Sequence, residues 1–208
     1  ISQSTDYDEA VTEMAKDGRS ANEIYETLAL ADIRAAADLL RPAHDAAGGA
    51  DGFASLEVDP HLAHDTETTV AEGRRLFATL DRPNVMIKVP ATPEGIPAVR
   101  HLIGQGVNIN VTLIFSLEAH RQVMEAYISG LEDLAHSGGN ISKVASVASF
   151  FVSRVDVAVD ALLEERARQG QPEPSWSRAL RRSSSFFTTS IQPGGIAYFA
   201  TSSLIRAF

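Results

Sequence analysis

Asn84-Val85-Met86-Ile87-Lys88-Val89-Pro90 is a short apolar run, rich in β-branched residues, that carries a single charge. Its composition and length predict a buried strand. An ammonium group on such a strand is costly unless it finds a partner or loses its proton. A neutral lysine amine is a nucleophile that forms a Schiff base with a carbonyl compound. A lysine on an edge strand instead extends its stem and keeps its charge in water. Both readings of Lys88 are open on this segment alone.

Moving outward, the chain alternates regularly. Phe53–Val58 reads as strand, Asp65–Leu80 as a helix capped by Asp65, Val85–Val89 as strand and Glu94–Gly104 as helix. Val107–Phe115 is then strand, Ser116 caps a helix to about His136, Lys143–Ser149 is strand and Val152–Gln169 is helix. Four successive β-α units imply a parallel sheet covered by helices. Ahead of them, Ser4 or Thr5 caps a short helix that Asp17-Gly18 ends. Ser20 and Glu23 form a capping-box signal for a long helix to about Ala46, bent at Pro42. The fold class expected is α/β, a partial (β/α) barrel of the TIM type that occupies residues 1–170 and includes a helical N-terminal lead-in. Residues 171–208 form a divergent segment: serines and arginines are frequent and no Asp or Glu follows Glu173.

The 208 residues are 44% hydrophobic and 22% charged, an ordinary globular composition. A net charge of −9 and a pI of about 5.1 argue against nucleic acid or an anionic membrane surface as partner. The absence of cysteine removes disulfide and thiolate chemistry, and no apolar run has the length of a membrane span. These features predict a cytoplasmic location. His61 and His64, three residues apart on a loop without a third ligand type nearby, do not predict a metal site.

Strand parity collects the chemistry. On alternate positions, Phe53, Ser55 and Glu57 share one face, as do Asn84, Met86 and Lys88, Asn108, Asn110 and Thr112, and Ala145, Val147 and Ser149. Each strand thereby places a polar group toward its C-terminal end, where parallel barrels carry their sites. An amine, a carboxylate, an amide and two hydroxyls suit imine chemistry: the carboxylate moves protons and the others hold the developing oxygen and substrate hydroxyls. Arg154, at the start of a helix, is either a phosphate ligand or a surface arginine paired with Asp156 or Glu165.

The segments Ser55-Leu56-Glu57-Val58-Asp59-Pro60, Met86-Ile87-Lys88-Val89-Pro90-Ala91-Thr92-Pro93-Glu94-Gly95, Asn108 through Ser116, and Ala145 through Arg154 resemble the motifs of transaldolases, in that family's order and spacing. The resemblance spans about Asp6 to Glu165. It implies a class I aldolase-type barrel that transfers a dihydroxyacetone unit between sugar phosphates without a cofactor, in the pentose phosphate pathway. It implies that Lys88 is the Schiff-base lysine and that Glu57 is the acid/base carboxylate acting through a water. It further implies that Asn110 and Thr112 hold the intermediate, and that Ser149, Phe151 and Arg154 line the substrate and phosphate end.

The family pattern also includes two earlier strands, one with a catalytic aspartate and the next ending in a Thr-Ser-Asn-Pro type motif, which have no counterpart here. Asp6 and Asp8 lie in the helical lead-in and do not replace that aspartate. Arg178, Arg181 and Arg182 match no phosphate ligand of the final strands. A complete barrel takes about 250 residues. The expectation is therefore the central part of such a barrel, with a gene fragment or a frame shift near Ser177 as the hypothesis for the tail. The nucleotide sequence tests it, and an intact homologous frame there refutes it. Two unpaired sheet edges predict self-association. The alternatives are a sugar-phosphate aldolase on the same scaffold and an inactive truncated remnant.

Overall fold

The computed structural model describes residues 5–170 and 197–198. A 3-10 turn, Thr5–Tyr7, leads into α1 (Asp8–Lys16), and α2 (Ala21–Ala46) follows. The β-α units are then β1 (Ala54–Glu57) with α3 (Thr66–Leu80), β2 (Val85–Pro90) with α4 (Gly95–Gly104), β3 (Ile109–Ile114) with α5 (Leu117–His136), and β4 (Ser146–Phe150) with α6 (Val152–Arg168). All strand pairs are parallel, in the order β1-β2-β3-β4-β5. β5, beyond the four strands expected, is the two-residue strand Ala197–Tyr198 beside β4. The rest of the divergent 171–208 segment lies outside the described residues.

The helix starts follow from local chemistry. Ser20 accepts from the Glu23 amide and the Glu23 carboxylate accepts from the Ser20 amide at 2.8 Å, a complete capping box. Asp65 caps α3 through the Thr68 amide, and Ser116 caps α5 through the Ala119 amide. β4 begins at Ser146 rather than Lys143, because Ile141–Lys143 is a 3-10 turn capped by the Asn140 carboxamide. Pro42 lies inside α2, within its last two turns.

Parity divides the sheet into two faces. Val85, Ile87, Val89, Ile109, Val111 and Ala148 pack with Leu76, Leu80, Val99, Leu102, Ile103 and Tyr127 of the helices in one core. Each fully buried side chain of this size contributes about 1.5–3 kcal/mol. A second, smaller cluster on the other face joins Met86 and Val147 with Phe53 and Ala145. Two buried asparagines stitch the N-terminal edge of the sheet. Asn84 donates to the carbonyls of Ala37 on α2 and Gly52, at 2.7 and 2.9 Å. Asn108 donates to Pro83 and Val85 and accepts from the Ala145 amide.

At the opposite edge, two turns are tied reciprocally. Thr92 donates to the Ala63 carbonyl and Thr66 donates to the Glu94 carbonyl, so the β1–α3 and β2–α4 connections hold each other. Gly95 is required there: a Cβ would lie 2.0 Å from the Pro90 carbonyl oxygen.

Candidate functional site

The register brings the polar residues together. Glu57 pairs with Lys88 and Lys88 with Asn110, so three neighbouring strands present these side chains at one level. Lys88 Nζ lies 3.7 Å from a Glu57 carboxylate oxygen, with side chains 30% and 53% exposed. Of the two readings open for Lys88, the structure shows an intermediate: the strand is buried, and the flexible stem carries the half-buried amine to its carboxylate partner. Water screens a pair this open, so it orients the two groups more than it stabilises the fold.

Asn110 is held from both sides. Its amide group donates to Ser55 Oγ at 3.3 Å and its carbonyl accepts from Ser149 Oγ at 2.9 Å. Ser149 therefore lies where parity predicts. Ser55 was visible on the Glu57 face, but its partner on β3 was not, since the bond crosses strand β2.

Thr112 is buried and level with Pro90 of β2. The uniform alternation expected for β3 ends there. The β3–β4 register shifts between Val111 and Ile114, and Leu113 takes a positive φ of 59°. This bulge turns Leu113 outward, leaving Thr112 and Ile114 both buried. A non-glycine residue in the left-handed region costs about 1–2 kcal/mol, which the neighbouring pairings hold in place.

Past β4, Phe151 stacks on Phe115 with ring centroids 5.4 Å apart, and the Arg154 guanidinium lies 4.6 Å from the Phe151 ring centroid. Arg154 is exposed on the first turn of α6, and Glu165, the partner weighed for it, bonds Arg168 instead. Nearby acids are engaged. The His61 amide and imidazole hold the Asp59 carboxyl below the ordinary carboxylate range, and His64 does the same for Glu94. The two histidines thus face different carboxylates. Among the described residues no three His, Asp or Glu side chains gather as a metal site, and no helix is long and apolar enough to cross a membrane.

An amine, a carboxylate and a doubly held amide gather at one level across three successive parallel strands of a partial (β/α) barrel. The chain belongs to the transaldolase/fructose-6-phosphate aldolase family, whose model matches residues 1–191. It is 54% identical over 157 residues to transaldolase 1 of Streptomyces avermitilis, covering 76% of this chain and 42% of that protein. It is 52% identical over 164 residues to the transaldolase of Saccharopolyspora erythraea, covering 79% and 44%. A second Streptomyces avermitilis protein, transaldolase 2, is 49% identical over 178 residues, covering 86% and 47%. The chain spans less than half the length of these relatives.

Proposed function

We propose that this chain carries the Schiff-base centre of a transaldolase, which moves a dihydroxyacetone unit from sedoheptulose 7-phosphate to glyceraldehyde 3-phosphate, in the pentose phosphate pathway. The observation that carries this is the approach of Lys88 Nζ to Glu57, 3.7 Å, with Asn110 in register beside them. The Lys88 amine attacks the ketone carbon of the donor and the carbinolamine loses water to give an imine. Glu57, through a water, takes the proton from the C4 hydroxyl. The C3–C4 bond breaks, its electron pair passes into the imine to form an enamine, and the aldehyde product leaves. The enamine then adds to the carbonyl carbon of the acceptor, and hydrolysis frees the lysine. Asn110, Thr112 and Ser149 hold the hydroxyls of the bound unit, while Phe151 and Arg154 flank the phosphate end. No cofactor takes part. The names of the matched relatives favour transfer over release of free dihydroxyacetone. A cytoplasmic location and self-association through the sheet edges belong to the same proposal.

The test incubates the full chain with fructose 6-phosphate, reduces with borohydride and measures intact mass. A substrate adduct that is lost in Lys88→Ala is the expected result. No adduct at high substrate, or an adduct that persists in Lys88→Ala, refutes the assignment. Addition of erythrose 4-phosphate, with sedoheptulose 7-phosphate as product, separates transferase from aldolase.

A further inference from the structure

Resting on the Schiff-base reading above, we infer that Ser55 is a positioning residue that immobilises the Asn110 carboxamide across the strand bearing Lys88. Ser55 on β1 and Asn110 on β3 are not neighbours in the sheet; β2 lies between them. The Asn110 amide reaches over β2 to Ser55 Oγ at 3.3 Å. Ser55 pairs with Met86 in register and Asn110 with Lys88, so this bond passes over β2 on the N-terminal side of the lysine. Ser149 on β4 holds the other end of the amide at 2.9 Å. The three side chains form a diagonal polar line over three gaps of the sheet, with the buried pair Met86 and Val147 on the same face.

A carboxamide bonded at one end swings about its last two torsions. Bonded at both ends it does not, and a polar group already aimed needs no reorganisation when charge develops beside it. Ser55 itself is two residue pairs short of the lysine and acts through Asn110. Its hydroxyl accepts from the amide. The contribution is therefore to rate at saturation, where orientation of the bound intermediate matters, and not to initial capture of the donor.

The experiment measures the rate of borohydride-trapped adduct formation against fructose 6-phosphate concentration in the full chain and in Ser55→Ala and Ser55→Thr. The maximal rate is expected to fall about fivefold in Ser55→Ala, with half-saturation changed less than about twofold, and to recover in Ser55→Thr, which keeps the hydroxyl. An unchanged maximal rate in Ser55→Ala overturns the inference alone, as does a Ser55→Thr chain no better than Ser55→Ala. Absence of any adduct in the unsubstituted chain overturns the Schiff-base reading and this inference with it. A second measurement is independent of any variant's folding: in the unsubstituted chain the Asn110 side-chain amide hydrogen must exchange slowly with solvent. Exchange at the rate of a free carboxamide overturns the proposal.

Discussion

Asn84 offers a test of how the sheet is anchored. Its side chain is fully buried, and it donates to two backbone carbonyls from different segments, Ala37 in α2 and Gly52 before β1. Its Oδ1 is buried without a hydrogen-bond partner among the described residues. Asn84→Ala removes two bonds at about 1 kcal/mol each and leaves a small cavity costing about 1 kcal/mol, but it also deletes an unsatisfied acceptor that costs about 1–2 kcal/mol. The net loss is about 1–2 kcal/mol. Asn84→Asp keeps the shape, so packing is unchanged, yet it sets a carboxylate against two carbonyl oxygens in a dry site, a loss of about 4 kcal/mol. With a urea slope of about 2 kcal/mol/M, the midpoints fall by about 0.5–1 M and about 2 M respectively. Burial raises the pKa of the introduced carboxyl, so its penalty is present above that pKa and fades as pH falls through it. Urea melts followed by far-ultraviolet circular dichroism at neutral and mildly acid pH measure both effects. If Asn84→Asp is no less stable than Asn84→Ala at pH 7, or if the gap does not narrow in acid, hydrogen bonding is not what Asn84 supplies.

Three further outcomes are expected. In Gly130→Ala the new methyl lies 2.7 Å from both the Arg100 carbonyl oxygen and Ile103 Cβ where α5 crosses α4, so thermal unfolding should show a loss of about 1–3 kcal/mol; an unchanged melting temperature contradicts the close packing. Asp81 ends α3 with φ at 48°, and Asp81→Gly should stabilise by about 0.5 kcal/mol in the same assay, a decrease being contrary. Hydrogen bonds from Arg75 and Arg82 hold the Glu26 and Asp38 carboxyls below their ordinary range, linking α2 to α3 and to the turn that follows it. Their stabilisation is complete above the unfolded carboxylate pKa and is lost as pH falls through the lowered folded values. Melting temperature against pH should therefore drop on the acid side, and Arg82→Gln should flatten that drop; parallel curves would exclude the Asp38 pair as a contributor.

Much of this was legible because it is local. Ser20 with Glu23, Asp65 and Ser116 start their helices by side-chain bonds within three residues, which a sequence displays directly. Period-two alternation placed Glu57, Lys88, Asn110 and Ser149 on one face, and the register brings the first three to one level. The bulge at Leu113 was not legible, since it arises from the pairing of β3 with β4, and alternation within one strand carries no trace of it. The reach of Asn110 to Ser55 depends on two strands separated by a third, beyond anything parity encodes. The environment of the Lys88 amine stayed open in the sequence because apolar flanks report on the backbone of a strand, while a four-carbon stem decides where the charge ends.

The crossed threonine ties at the sheet's carboxyl edge bear on how this scaffold tolerates recombination. Thr92 is satisfied by the carbonyl of residue 63 and Thr66 by that of residue 94. Because both acceptors are backbone carbonyls, a chimera joined between α3 and β2 keeps the ties only where each parent's turn places its carbonyl at the same point and both threonines are present. Residues 54–104, exchanged whole between relatives, carry both turn geometries and the Glu57–Lys88 pair together.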